Sequence, residues 1–107
     1  MTYSEPGFNI SLQENLLRFS GKIERFDYSA LEHFFEQVEE SLPDHDCLVD
    51  MTGLLYLNSR GLRTFVNYIL KSNHAFTLRI NNSAMWQKQS LPMLKFLRPE
   101  RITIVTE

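Results

Sequence analysis

Two stretches of helical periodicity enclose one short apolar run, and this arrangement limits the available folds more than any other feature of the chain. Leu31, Phe34, Phe35, Val38 and Leu42 recur at helical spacing, while Glu32, Glu36, Glu39 and Glu40 fall mostly on the other face. Ser29-Ala-Leu-Glu32 offers a capping box, with Asp27 as a competing cap just ahead. Pro43 ends the helix, because the residue before a proline is pushed out of the helical region. Cys47-Leu-Val-Asp-Met51 then reads as a buried central strand. A turn-like Thr52-Gly53 and the apolar Leu54-Leu-Tyr-Leu57 follow, and Asn58-Ser59 supplies a helix-start signal. Leu62, Phe65, Val66, Ile69 and Leu70 then carry a second amphipathic helix to about Ser72 or Asn73. Helices with one apolar stripe each, alternating with strands, imply parallel pairing through right-handed crossovers and a single helical layer.

The flanking segments complete the pattern. Phe8, Ile10 and Leu12 alternate with polar residues, and Leu17, Phe19 and Ile23 continue beyond a polar break at Asn15, so the start of the chain reads as a hairpin. Gly21 inside the second run suggests a bulge or bend. Phe76-Thr-Leu-Arg-Ile80 alternates as a strand, Asn81-Asn82-Ser83 opens a helical region that Pro92 must break or restart, and Ile102, Ile104 and Val105 form a last strand or edge segment. The expected order is β-β-α-β-α-β-α-β. The fold class is therefore α/β: a mixed β-sheet with an N-terminal hairpin and helices packed mainly on one face. At 107 residues, with only four Gly and four Pro, the chain reads as one domain, 1–107, without a linker.

Several function classes lack their residues. A formal charge of −2 gives no overall basic footprint for nucleic acid. The single Cys47 excludes an internal disulfide framework and a cysteine-based zinc cluster. His33, His45 and His74 show no metal-ligand spacing and read as solvated surface groups. The opening Met1-Thr-Tyr-Ser-Glu-Pro-Gly lacks the parts of an export signal, and no apolar stretch approaches the roughly 20 residues of a spanning helix, so a cytoplasmic protein without membrane insertion is expected. No phosphate-cradling glycine loop or nucleophile elbow is present. Ser59 acquires a histidine base only if tertiary contact brings His33, His45 or His74 to it, and Asp44, Asp46 and Asp50 form no evident dyad. Trp86 and the other aromatics read as core or surface anchors, and the glutamates of the first helix as a solvated face. No enzyme, cofactor or metal is expected.

The segment Asp50-Met-Thr-Gly-Leu-Leu-Tyr-Leu-Asn-Ser-Arg-Gly-Leu62 resembles, without a gap, the signature of the sulfate transporter and anti-sigma factor antagonist (STAS) domain, roughly Asp-Leu-Ser-Gly-Val-x-Phe-Ile-Asp-Ser-Ser-Gly-Leu. The resemblance extends more weakly to Phe19-Ser-Gly-Lys-Ile23, to Phe76–Asn82 and to Leu94–Ile104, and the length fits a free-standing protein of this family. It implies a non-catalytic regulator that docks a protein partner, an anti-sigma or switch kinase-like ATPase, through the loop and start of the second helix. The alternatives are an accessory subunit on a transporter ATPase and a small-ligand module for nucleotide or lipid.

In the family, a Ser or Thr at this helix start is phosphorylated, and the added charge changes which partner docks. Position by position, Asn58 stands for the family's acidic residue, Ser59 for the first serine, and Arg60 for the usual acceptor, while Gly61 is retained. Arg60 cannot accept phosphate, which leaves Ser59 as the candidate for modification or the protein unmodified in use. From local chemistry alone, Asn58 is a helix N-cap and Arg60 an exposed side chain. A cation in the first turn opposes the helix dipole by about 0.3–1 kcal/mol, and Arg60 and Arg63 share a helix face, which suggests retention for an acidic group on a partner. The expected docking surface is Tyr56, Leu57, Asn58, Ser59, Arg60, Gly61 and Arg63. Tyr56 and Leu57 have a second reading as inward-packing side chains, Leu57 the more so.

Overall fold

Strand alternation at the N-terminus and helical stripes further on produce one six-stranded sheet whose strands lie side by side in chain order. The computed structural model describes residues 1–43 and 46–107, so Asp44 and His45 lie outside the described residues. The strands are β1 (Thr2–Glu5), β2 (Phe8–Gln13), β3 (Leu16–Ile23), β4 (Asp46–Leu57), β5 (Ala75–Ile80) and β6 (Ile102–Thr106). The helices are α1 (Tyr28–Ser41), α2 (Ser59–Lys71) and α3 (Met85–Ser90), the last continuing into a 3-10 segment, Leu91–Phe96. The first three strands form an antiparallel meander, and β3 to β6 pair in parallel. Right-handed crossovers between neighbouring strands place the connecting helices on one face.

That face holds the core. Phe19 of β3 packs edge-on against Phe65 of α2 at 5.3 Å, and Phe35 of α1 stacks on Tyr68 of α2 at 5.1 Å. Tyr68 meets Phe76 of β5 at 5.7 Å, which locks both helices onto the same side. Leu31, Phe35, Val38, Phe65 and Ile69 are buried together, with Val66 partly buried against them. Cys47 is buried here too, and burial pushes its thiol up to about 12, which keeps it neutral. The opposite face of the sheet carries an ionic row. Arg18, Asp50 and Arg79 are register partners on β3, β4 and β5, with Arg18 Nε 3.4 Å from Asp50 and Arg79 paired to Glu107 at 2.6 Å.

Four details differ from the sequence reading. An additional strand, β1, precedes the expected hairpin; Pro6-Gly7 makes its turn, with Gly7 at φ +102°, a conformation that favours glycine. Thr52-Gly53 is not a turn but the middle of β4, because pairing with β3 continues to Ile23↔Leu57 across two register shifts. Asp27, not Ser29, caps α1, its carboxylate accepting the Ala30 N–H at 3.2 Å. The buried stripe of α2 is rotated: Gly61, Thr64, Phe65, Tyr68 and Ile69 face inward, whereas Leu70 is 47% exposed. Tyr68 displaces Leu70 from the core because its ring stacks and its hydroxyl finds a partner in Glu39. Pro92 does restart the helical path, as the 3-10 segment. No helix among the described residues is long and apolar enough to cross a membrane.

Candidate functional site

Polar satisfaction beneath the surface builds the corner where β4 runs into α2. Asp50 accepts from both the amide N–H (2.9 Å) and the hydroxyl (2.6 Å) of Thr52, which fixes the backbone where β4 shifts register against β3. Burial raises the Asp50 carboxyl, but these donors, then Arg18 and the charge of Arg79, hold it below its ordinary value. Beyond Asp50, β5 no longer pairs with β4. The fully buried Gln87 of α3 takes over, its Nε2 donating to the carbonyls of Met51 (2.7 Å) and Leu54 (2.8 Å) while its Oε1 accepts the Asn81 N–H. The end of β4 therefore runs past β5 while staying paired to β3, and on the side β5 has left, the carbonyls of Met51 and Leu54 are satisfied by a side chain.

Asn58 closes the corner. Its Oδ1 accepts the Gly61 N–H at 2.8 Å as an N-cap, its Nδ2 donates to the Glu24 carbonyl at 2.6 Å, and its backbone N–H reaches the Ile23 carbonyl. An aspartate could cap the helix but could not donate to Glu24, so the neutral amide at this position has a structural cause. Gly61 is buried beneath the first turn. A Cβ there would lie 2.8 Å from Leu57 Cδ1 and 3.0 Å from Ile23 Cγ2, so a larger residue would have to push these two side chains aside.

Four of the seven expected docking residues project outward: Tyr56 (45% exposed), Ser59, Arg60 and Arg63. Leu57 packs partly buried against the core, which settles its second reading, and Asn58 and Gly61 act as supports. Arg60 lies over the Phe26 ring, 5.7 Å from its centroid, and neither Arg60 nor Arg63 is ion-paired among the described residues. Leu55, 64% exposed, extends the patch. Sequence reasoning missed Phe26, Leu55 and Gln87. The uniformly apolar run Leu54–Leu57 does not single out Leu55, which lies at the register shift between Leu54 and Tyr56, and no local signal marks the other two.

The other candidates do not assemble. His74 pairs with Glu39 at the far end of α2, about 20 Å from Ser59 along a helix of this length. His33 is exposed on α1. Asp46 and Asp50 lie four residues apart on one strand, about 13 Å, too far for a dyad. Among the described residues no group of three or more His, Cys, Asp or Glu is placed to hold a metal.

No protein-family model matches this chain, and no curated protein matches it by sequence. Its fold, however, matches the crystal structure of an anti-sigma factor antagonist from Mycobacterium paratuberculosis, with a TM-score of 0.62 over 90% of this chain and 83% of that one, at 18% identity. The chain has the anti-sigma factor antagonist fold. The mixed sheet and one-sided helical layer expected from the sequence are those of this fold. Within this fold, the segment Asp50–Leu62 forms the last two-thirds of β4, the Asn58 cap and the first turn of α2.

Proposed function

We propose that this chain is a non-catalytic regulatory protein of the cytoplasm that docks a kinase-like ATPase partner at the β4–α2 corner. The observation that carries the reading is the combination of Arg60 and Arg63, without an ion pair among the described residues, with exposed Tyr56 and Leu55 on a backbone held by the hydrogen bonds of Asn58. A rigid platform presenting arginine and an aromatic ring is the composition of an interface anchor. The partner surface it fits has carboxylates opposite the two guanidinium groups and an apolar depression for Tyr56. With Arg60 at the position where the family that the segment resembles carries its acceptor hydroxyl, docking is constitutive, and control is exerted on the partner or on abundance.

Intact-mass measurement and phosphosite mapping of protein from its native cells, with binding assays on Ser59→Ala, Ser59→Asp and Arg63→Glu, test this. The expected result is unmodified protein and a loss of affinity of about tenfold or more for Arg63→Glu. Stoichiometric phosphate on Ser59 that abolishes binding would overturn the constitutive reading. An ATPase of a transporter as the bound partner would assign the same surface to an accessory subunit instead.

A further inference from the structure

Charge is distributed unevenly along this chain. Eleven of its thirteen carboxylates lie in residues 1–50, whereas residues 51–99 contain seven Lys or Arg and no Asp or Glu. The fold turns this asymmetry into two opposed surfaces, since the acidic α1 and the basic α3 with its 3-10 segment belong to different crossovers on either side of α2.

Between α1 and α2 runs a groove of about 420 Å³. Phe35 and Tyr68 floor it, and Glu32, Glu36 and Glu40 line its α1 rim, with Lys71 on the α2 rim. Glu39 is consumed internally by Tyr68, Ser72 and His74. Glu32, Glu36 and Glu40 are not ion-paired among the described residues. The groove is thus an aromatic floor under negative charge.

The 3-10 segment presents the complement. Leu91 and Leu94 anchor it inward, and Arg98 ties its end to the last carbonyls of α2, at 3.0 Å to Ile69 and 2.5 Å to Ser72. On this fixed base Phe96 is 78% exposed and Met93 66% exposed, beside the exposed Lys95. Phe96 is an apolar knob beside a cation, and its exposure shows that its own molecule's groove does not hold it.

We infer that this chain associates head to tail with a second copy of itself, Phe96 and Lys95 of one molecule seating in the glutamate-rimmed groove between α1 and α2 of the next. Knob and groove lie on different elements of each molecule, so a single knob-in-groove contact is heterologous and leaves one knob and one groove free for further copies. One knob in one groove is a small interface, at the low end of specific contacts, so association is weak and salt-sensitive. The groove lining includes none of Tyr56, Ser59, Arg60 and Arg63, so the contact uses different residues from partner docking at the β4–α2 corner.

Sedimentation equilibrium of the full chain from about 10 µM to about 1 mM tests the inference, since a small contact half-associates at roughly 0.1–1 mM. In low salt the weight-average mass should rise with concentration, and in about 0.5 M salt, where screening is within roughly 4 Å, it should return towards the monomer. Two surface variants, K95E/F96S with no knob and E36K/E40K with no groove, should each remain monomeric with unshifted melting temperatures. Mixed in equal amounts, they should form a complex of one of each and grow no further, because one intact groove and one intact knob remain. A wild-type chain monomeric at the highest concentration in low salt, or a mixture that stays monomeric, overturns the inference. So does flotation of the wild type with phosphatidylserine vesicles, lost in K95E/F96S, without self-association, since the knob would then be a lipid-binding face.

Discussion

The two ends of α2 are built in opposite ways. At its C-terminal end a polar network is turned inward: Glu39 accepts from Tyr68, Ser72, the Asn73 N–H and His74, and Arg98 donates to the carbonyls of Ile69, Leu70 and Ser72. At its N-terminal end the bonds run beneath the surface, through Asn58 to Gly61 and Glu24, while Ser59, Arg60 and Arg63 face outward with no ion pair among the described residues. A network that consumes its own donors and acceptors holds α2 against α1 and leaves none of those groups spare, so only the outer rim of Glu32, Glu36, Glu40 and Lys71 is open to a ligand there. A helix start whose backbone is satisfied from below, with its cations spare, is available to a partner.

Both ends rest on one aromatic layer, so the largest effect belongs to neither. Phe65 is 1% exposed and contacts Phe19 and Phe35. Phe65→Ala should cost about 3–5 kcal/mol in denaturant unfolding, the usual range for deleting a core phenylalanine. A midpoint that does not move would mean that the two ends of α2 are not held by a common core.

The next effect separates the ends. Glu39→Ala leaves Tyr68, Ser72 and His74 without their acceptor and should cost about 2–3 kcal/mol, in the range of hydrogen bonds to a charged group. The same carboxylate gives a pH dependence. Burial raises it, but the bonds from Ser72, Asn73 and Tyr68 and the charge of His74 hold it below its ordinary 4.5. A depressed native value means that the folded state binds fewer protons than the unfolded one. Its contribution is therefore complete above about pH 5 and is lost as pH falls below 4.5 through the lower native value. Asp50, depressed from 3.8, acts in the same sense at slightly lower pH. Urea midpoints measured from pH 6 to pH 3 should fall in the wild type and fall less in Glu39→Gln. Equal slopes in the two proteins would remove Glu39 from the account.

Asn58 marks the boundary between support and surface. Asn58→Ala removes the cap to Gly61 and the bond to Glu24, and should cost about 1–2 kcal/mol, near the upper end for a lost N-cap. Asn58→Asp keeps the cap but places a carboxylate against the Glu24 carbonyl, so it should recover only part of that loss in thermal unfolding. Full recovery would show that Nδ2 contributes nothing.

What could be read from sequence follows the same division. In the corner Asp50–Leu62 the apolar start of the strand, the capping Asn and the helix start were legible because their signals are local, whereas Thr52-Gly53 read as a turn because the strand pairing that carries β4 through it is not. The crossover architecture followed from those periodicities. The polar network at the other end was not legible, because Glu39 and His74 meet only through tertiary packing, and a tyrosine at a polar-looking position displaced Leu70 once its hydroxyl had a partner. Gln87 is the extreme case: a buried glutamine replacing strand-to-strand hydrogen bonds leaves no trace in periodicity. Strand β1 was readable in principle, since Pro6-Gly7 is a turn signal, but four residues of weak alternation are easily passed over.

The smallest effect on stability should accompany the largest effect on function. Arg60→Glu exchanges a cation for an anion in the first turn of α2, and two terms of similar size oppose each other. The helix dipole gains about 0.3–1 kcal/mol from the anion. The lost stacking of the guanidinium over Phe26 costs about 0.5–1 kcal/mol at an exposed site. The net change in unfolding free energy should therefore fall within about 0.5 kcal/mol, as for surface substitutions generally. If Arg60 is kept for a carboxylate on the partner, affinity should nevertheless fall about tenfold or more, because a bidentate pair becomes a repulsion between like charges. Titration calorimetry against the partner, run beside thermal unfolding of the same preparation, reads both quantities. A destabilised Arg60→Glu protein would move Arg60 into the supporting layer with Asn58 and Gly61, and a stable one that binds like the wild type would end the case for the β4–α2 corner as the docking surface.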